Sequence, residues 1–439
     1  MPPQPRSRRP TRRQSPAEPG KAGLPPDIAR TIDAVWRMES ARLTAALARM
    51  VRDVGWAEDL AQEALVAALA QWPNQGVPDN PGAWLTAVGK RRAIDVMRRR
   101  RRFADLQHLL ADDDVAASPE PSNRGDVDDL LRLMFVACHP LLSQQARVAL
   151  SLKLLGGLTT DEIARAFLVP EPTIAQRIVR AKRALSEAGV PFEVPRGEQR
   201  ATRLPSVLEV IYLIFNEGYA ATSGDDWMRP QLCQEAMRLG RILAHLAAEE
   251  SEVHGLVALM ELQASRFGAR TGATGEPILL LDQDRNRWDY VLIRHGLEAL
   301  AKAEALGNPG VYTLQAAIAA CHARASAAAQ TDWVRIAALY TALGRLMPSP
   351  VVELNRAVAI GMAFGPQAGL EIADSLTRDT TLSRYHLLPA VRGDLLAKLG
   401  RRDEARAEFE RAATLTQNSR ERELMRERAR AISGDAERR

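Results

Sequence analysis

Two features of the sequence predict an all-α protein. Alternating β-branched stretches are nearly absent, and Ala, Leu, Arg and Glu recur at the 3.6-residue spacing of amphipathic helices. Breaks rich in Gly and Pro separate these runs, and a length of 439 residues, 46 % of them hydrophobic, favours roughly two to four domains with sizeable cores.

The first 35 residues are rich in Pro and Arg and carry no apolar stretch after their charges, so they read as a disordered basic arm and not a secretion signal. Next, Leu43, Leu47, Met50, Val51 and Val54 mark one face of a helix, with a break expected at Gly55. A second helix, about 56–72, sets Leu60, Ala64, Ala68 and Trp72 on one side and Glu58, Asp59, Gln62 and Glu63 towards the other. The loop PNQGVPDNP ends it. Beyond Pro81 a third helix carries Trp84, Leu85, Val88, Ile94 and Met97 into KRRAIDVMRRRRR, which packs eight basic side chains into thirteen positions around Asp95.

Charge is distributed in blocks. Residues 1–103 hold 19 basic and 10 acidic side chains, whereas 104–129 hold eight acids against Arg124 alone. Residues 130–190 return to a surplus of four positive charges, and the remainder is nearly neutral. The net charge of +5 conceals this pattern, which suits a chain that meets a polyanion at two separated places. The acidic block contains SPEPSN and few apolar residues, so an extended linker is expected over 104–127.

From 128 to 190 the pattern LTTDEIARAFLVPEPTIAQRIVRAKRAL predicts a helix-turn-helix. Thr159 or Thr160 caps a short helix with Ile163, Ala164 and Phe167 inward, and Val169 and Pro170 form the turn. A second helix over 173–185 packs through Ile174, Ile178, Val179, Ala181 and Leu185. Its outer face carries Thr173, Gln176, Arg177, Arg180 and Arg183, donors suited to a major groove. Pro172 is tolerable in a first helical turn, whose N–H groups are unpaired in any case.

After Pro191 amphipathic helices continue to the end. VLEVIYLIF at 207–215 is interrupted by Glu209 and reads as a buried helix, and no apolar run is long enough to span a membrane. AVRGDLLAKLGRRDEARAEFERAATL sets Gly393, Leu396, Gly400, Ala405, Phe409 and Ala412 at positions of a tetratricopeptide-type repeat. A weaker copy places Gly365 35 residues before Gly400.

These residues together carry a resemblance. AEDLAQEALVAAL (57–69), NPGAWLTAVGKRRAIDVMRRR (80–100) and the helix-turn-helix, in that order about an acidic linker, resemble regions 2 and 4 of bacterial sigma-70 family factors, of the compact extracytoplasmic-function kind. YLIFNEGYAA, DQDRNRWD and the long helical remainder are similar to a subgroup with a tetratricopeptide-like C-terminal extension.

The resemblance implies a region 2 module over 36–103, a region 4 module over 128–190 and a regulatory domain over 191–439. Its implied partners are promoter DNA and core RNA polymerase, through the β′ clamp helices and the β flap. Asp59, Gln62 and Glu63 would dock on the clamp. Lys90, Arg91, Arg92, Arg98 and Arg99 would hold the melted minus-10 strand, with Asp95 orienting an arginine or a base contact. Trp84 is placed in the core more readily than on a base. Thr173, Gln176, Arg177, Arg180 and Arg183 would read the minus-35 element. Many relatives have Asn where Arg91 stands, so their base preference does not carry over. The C-terminal domain would tune activity, with contact to the sigma regions within the chain.

Other chemistry is not expected. Asp282, Asp284 and Asn286 open like a calcium loop, but Arg287 and Ile293 stand where Gly and Glu are needed. Cys138, Cys233 and Cys321 show no paired spacing, which favours a reduced cytoplasmic setting. With no nucleophile, base and orienter traceable, catalysis, a metal and a cofactor are all unexpected. The rival reading is a helix-turn-helix regulator with a repeat-type sensor domain.

Overall fold

The computed structural model describes residues 26–107, 123–167, 169–219, 228–272, 276–416 and 418–437. Regular structure among them is helical, apart from one isolated bridge between Thr271 and Pro277.

Helices α1 (Pro26–Val51), α2 (Val54–Gln75) and α3 (Pro81–Gln107) form the first module. Leu43 and Leu47 of α1, Leu60, Ala64, Ala68 and Trp72 of α2 and Leu85 of α3 share its core. Each leucine so buried contributes roughly 2 kcal/mol. The break between α1 and α2 falls at Arg52 and Asp53, ahead of the expected Gly55. Arg52 turns the chain with φ +53°, and Asp53 Oδ1 accepts from the Trp56 N–H at 2.8 Å, so Asp53 is the better cap and Gly55 lies inside α2. That helix runs past Pro73 to Gln75. Residues 26–35, assigned by composition to the arm, are helical, with Ile32 and Val35 buried. Residues 1–25 lie outside the described residues.

The acidic block is shorter as a linker than its composition suggests. α3 continues to Gln107 and α4 (Asn123–Ala137) has already begun at 123, leaving 108–122 outside the described residues. Asp129 is fully buried between Arg132, at 2.5 Å, and Arg49 of α1, at 3.3 Å.

Next come α5 (Gln144–Leu154), α6 (Thr160–Ala166) and α7 (Glu171–Glu187), then α8 (Gly197–Tyr219), α9 (Pro230–Leu246) and α10 (Ser251–Ala264). One hydrophobic core runs without interruption from Ile32 to Ala264, so α8–α10 complete the core of α4–α7 instead of forming a separate domain. Arg203 Nη2 of α8 donates to the Phe135 carbonyl at 2.7 Å, Ser206 Oγ to the Cys138 carbonyl at 2.6 Å, and Arg147 of α5 pairs with Glu209 at 3.1 Å. From α9, Arg238 Nη2 donates to the Leu155 carbonyl at 2.5 Å.

The remainder is a row of helices: α11 (Tyr290–Leu306), α12 (Val311–Arg324), α13 (Trp333–Leu346), α14 (Pro350–Phe364), α15 (Pro366–Ser375), α16 (Leu387–Lys398), α17 (Arg402–Leu415) and α18 (Ser419–Glu437). α12 packs chiefly on α10, and from α13 onward each helix packs chiefly on its sequence neighbours. Gly365 and Gly400, at φ +105° and +76°, turn the α14–α15 and α16–α17 hairpins. A Cβ on Gly393 would sit 3.0 Å from the buried ring of Phe409, so α16 and α17 approach closely only because this residue is glycine.

Candidate nucleic-acid interface

Two helices present the basic side chains singled out by the sequence. On α3, Arg91, Arg92, Asp95, Arg98 and Arg99 are exposed at i, i+1, i+4, i+7 and i+8, one continuous stripe, and Lys90 is half-buried beside it. Asp95 pairs with none of these arginines. Trp84 is half-buried, its ring edge-on to the buried Trp72 at 5.4 Å.

The helix-turn-helix is built from local rules. Thr159 and Glu162 form a reciprocal capping box at 3.1 and 2.8 Å, which starts α6. Ile163 and Ala164 of α6 bury against Ile174, Ile178, Ala181 and Leu185 of α7. Pro172 lies in the first turn of α7. Gln176, Arg180 and Arg183 are exposed, and Thr173 and Arg177 are half-buried on the same side. Arg183 pairs with Glu187 at 2.6 Å, an ion pair that raises the pKa of the guanidinium.

Val179 departs from expectation. It is 62 % exposed and lies among Gln176, Arg180 and Arg183, not in the core. Its angular position settles this: Ile174, Ile178, Ala181 and Leu185 span the opposite side of the helix.

The acidic residues of α2 are the larger surprise. Glu58, expected on the outer polar face, is 7 % exposed. It pairs with Lys182 of α7 and lies 3.8 Å from Lys153 of α5. Asp59 also meets Lys182, at 3.3 Å, and Asp53 Oδ2 accepts from Ser186 Oγ of α7 at 2.7 Å. Glu63, one turn beyond Asp59, pairs with Arg92 of the basic stripe at 2.7 Å, and Gln62 is half-buried. A further bridge, Arg37 to Glu162 at 2.7 Å, ties α1 to α6. Burial alone would pull the Lys182 pKa down. Glu58 first and then Asp59 outweigh it and hold the ammonium above the usual lysine value.

The two modules are thus docked face to face, with α7 lying on α2. Sequence reasoning missed Lys182, Glu58, Asp53 and Ser186 in this role. A contact between residues 124 positions apart leaves no periodic trace.

The three cysteines are buried thiols. Burial raises the pKa of Cys138 to about 11 and that of Cys233 to about 12, so both stay protonated and unreactive near neutrality. Asp284, from the calcium-like run, instead caps a short turn by accepting from the Asn286 N–H at 3.0 Å.

Residues 36–103 match Sigma-70 region 2, residues 132–185 match Sigma-70 region 4, and residues 203–304 match a family of unknown function (DUF6596). An uncharacterised protein of Rhizobium meliloti (strain 1021) is 46 % identical over 382 residues, 86 % of this chain and 90 % of its own length. The probable ECF RNA polymerase sigma factor SigI of Mycobacterium tuberculosis (strain ATCC 25618 / H37Rv) is 31 % identical over 38 % of this chain and 59 % of its own length. The ECF RNA polymerase sigma factor SigK of Mycobacterium ulcerans (strain Agy99) is 31 % identical over 33 % of this chain and 78 % of its own length. No solved structure matches. No helix among the described residues is long and apolar enough to cross a membrane. With region 2, region 4 and these relatives in agreement, the chain belongs to the extracytoplasmic-function sigma factors of the sigma-70 family.

Proposed function

We propose that this sigma factor binds core RNA polymerase through the α2 face bearing Asp59, Gln62 and Glu63, holds melted minus-10 DNA on the α3 stripe, and reads the minus-35 element with α7. One observation carries the reading: two exposed cationic helices stand on the two modules matched as regions 2 and 4. On α3, Lys90, Arg91, Arg92, Arg98 and Arg99 supply charge for the backbone of an unstacked strand, while Trp84 stays packed on Trp72. On α7, Arg177 and Arg180 suit phosphate or guanine contacts and Thr173 and Gln176 base edges, and Val179 adds an apolar surface for a thymine methyl group. The protein contributes selectivity and melting, and the polymerase makes the phosphodiester bonds.

Because Lys182 of α7 occupies Asp59 and Glu58, docking on the polymerase requires α2 and α7 to part, and Arg92 of α3 to release Glu63. Where α7 meets α2 the close pairs are ionic or hydrogen-bonded, Lys182 with Glu58 and Asp59 and Ser186 with Asp53, and a crevice of about 550 Å³ runs beside them. The helices after α7 act on this equilibrium from behind, since α8 and α9 grip α4 and α5, and the α14–α17 hairpins have the glycine spacing of tetratricopeptide-type pairs. Run-off transcription with purified core polymerase and a promoter library tests the proposal. Association with core that survives Asp59→Ala combined with Glu63→Ala refutes the docking assignment. Duplex binding and regulation without core would favour a helix-turn-helix regulator.

A further inference from the structure

A cavity of about 920 Å³ opens where three parts of the chain meet: α1 of the first module, α6 of the helix-turn-helix and α9 behind it. Its size suits a small molecule. Five arginines line it, Arg37, Arg42, Arg165, Arg229 and Arg238, against three carboxylates, Glu39, Glu162 and Glu235.

The three acids are already committed. Glu162 accepts from the Thr159 N–H with Oε2 at 2.8 Å and from Arg37 with Oε1 at 2.7 Å. Both oxygens of Glu235 accept from Arg238, at 2.6 and 3.0 Å. Glu39 lies against the first turn of α3, where a Cβ on Gly82 would come within 2.9 Å of its carboxyl carbon and where the helix dipole favours a negative charge.

The arginines are not matched in the same way. Arg165 and Arg229 find their carboxylates, Asp161 and Glu217, outside the lining, and the exposed Arg42 makes no ion pair among the described residues. The walls therefore offer guanidinium N–H groups in excess of acceptors, and the carboxamides of Gln231 and Gln234 add neutral donors. A surplus of two positive charges matches a phosphate monoester, which carries close to two negative charges near neutrality. Guanidinium groups also fit phosphoryl oxygens in bidentate fashion. Met38, Leu158 and Leu232 supply an apolar stretch of the same wall, a surface that inorganic phosphate would leave bare.

We propose that this cavity binds a small organic phosphate, a monoester of nucleotide size, with Arg42 on its phosphoryl group and the apolar stretch against its organic part. Occupancy bears on polymerase binding, a consequence that rests on the docked arrangement proposed above. Arg37 and Glu162 bridge α1 and α6 in the cavity wall, so moving the first module away from the helix-turn-helix opens that wall. A ligand that binds only the docked state stabilises it by mass action.

Isothermal titration calorimetry of the full-length protein with AMP, GMP and glucose 6-phosphate tests the site, with adenosine and succinate as controls. At least one ester should bind, the controls should not, and Arg42→Gln should weaken binding roughly tenfold or more. Gln234→Glu, which adds a carboxylate at an exposed position of the lining, should weaken it likewise. No binding of any ester at about 1 mM, succinate binding as tightly as the esters, or affinity unchanged in both variants would overturn the site. With an ester present at roughly a hundred times its dissociation constant, core polymerase should bind up to roughly a hundredfold more weakly. If the ester binds and core affinity does not change, the site stands and it is the parting of α2 and α7 that fails.

Discussion

Replacing Lys182 by Met keeps the aliphatic stem of the side chain and removes the ammonium that joins α7 to α2. Glu58, 7 % exposed, is then left with Lys153 at 3.8 Å as its remaining cationic neighbour. Stripping one partner from a buried pair costs about 3–5 kcal/mol. Lys153 and water entering the crevice beside position 182 offset part of this, so the docked state should lose roughly 1.5–2 kcal/mol. If docking competes with polymerase, that loss passes to core affinity, since each 1.4 kcal/mol is about tenfold. Core polymerase titrated into fluorescently labelled protein should therefore bind Lys182→Met about ten times more tightly than the parent. Equal or weaker binding by a variant whose helical content and melting are normal would show that α7 does not guard α2.

Further outcomes follow from the same structure. His322 has a folded pKa near 4, below the ordinary value near 6.5, because burial and two arginines disfavour its charged form. The unfolded chain therefore binds the proton first as pH falls, and stability should decline between about pH 6.5 and 4 by up to roughly 3 kcal/mol. Thermal melts of His322→Gln should lack that portion of the decline. Arg180→Ala should weaken promoter binding across sequences and reduce the salt slope by about one, while Arg177→Glu should impair promoter selection and spare core association. Phe409→Ala, at a ring 1 % exposed, should cost about 3–5 kcal/mol in denaturant unfolding of the C-terminal helices. Ending the chain at Ala188 uncovers the apolar faces of α4 and α5 that α8 and α9 cover, so the shortened protein should aggregate or melt without cooperativity. A soluble product with a sharp transition would contradict a shared core.

Local chemistry made much of this fold legible. The capping box at Thr159, the apolar positions of α6 and α7, the glycines of the α14–α17 hairpins and the basic stripe of α3 all follow spacing rules that operate within one element. Boundaries suffered where two local signals competed: Gly55 looks like a break, yet Asp53 caps α2 two residues earlier. Composition misled where a few residues mattered more than the average. Ile32 and Val35 anchor the end of a segment otherwise read as an arm, and α3 and α4 both reach into the 104–127 stretch read as a linker. Val179 was placed inward because of its type, when its angle on the helix points it outward. The docking of α7 on α2 was not legible, because Lys182, Glu58 and Asp59 are brought together only by the packing of the two modules.

Transcription from a defined start site tests the central claim most directly. Purified core polymerase, incubated with this protein and a library of promoters, should yield run-off transcripts from a subset sharing spaced minus-35 and minus-10 sequences, and those transcripts should vanish with Asp59→Ala and Glu63→Ala combined. A protein that binds no core, or a complex that opens no start site, would contradict the assignment.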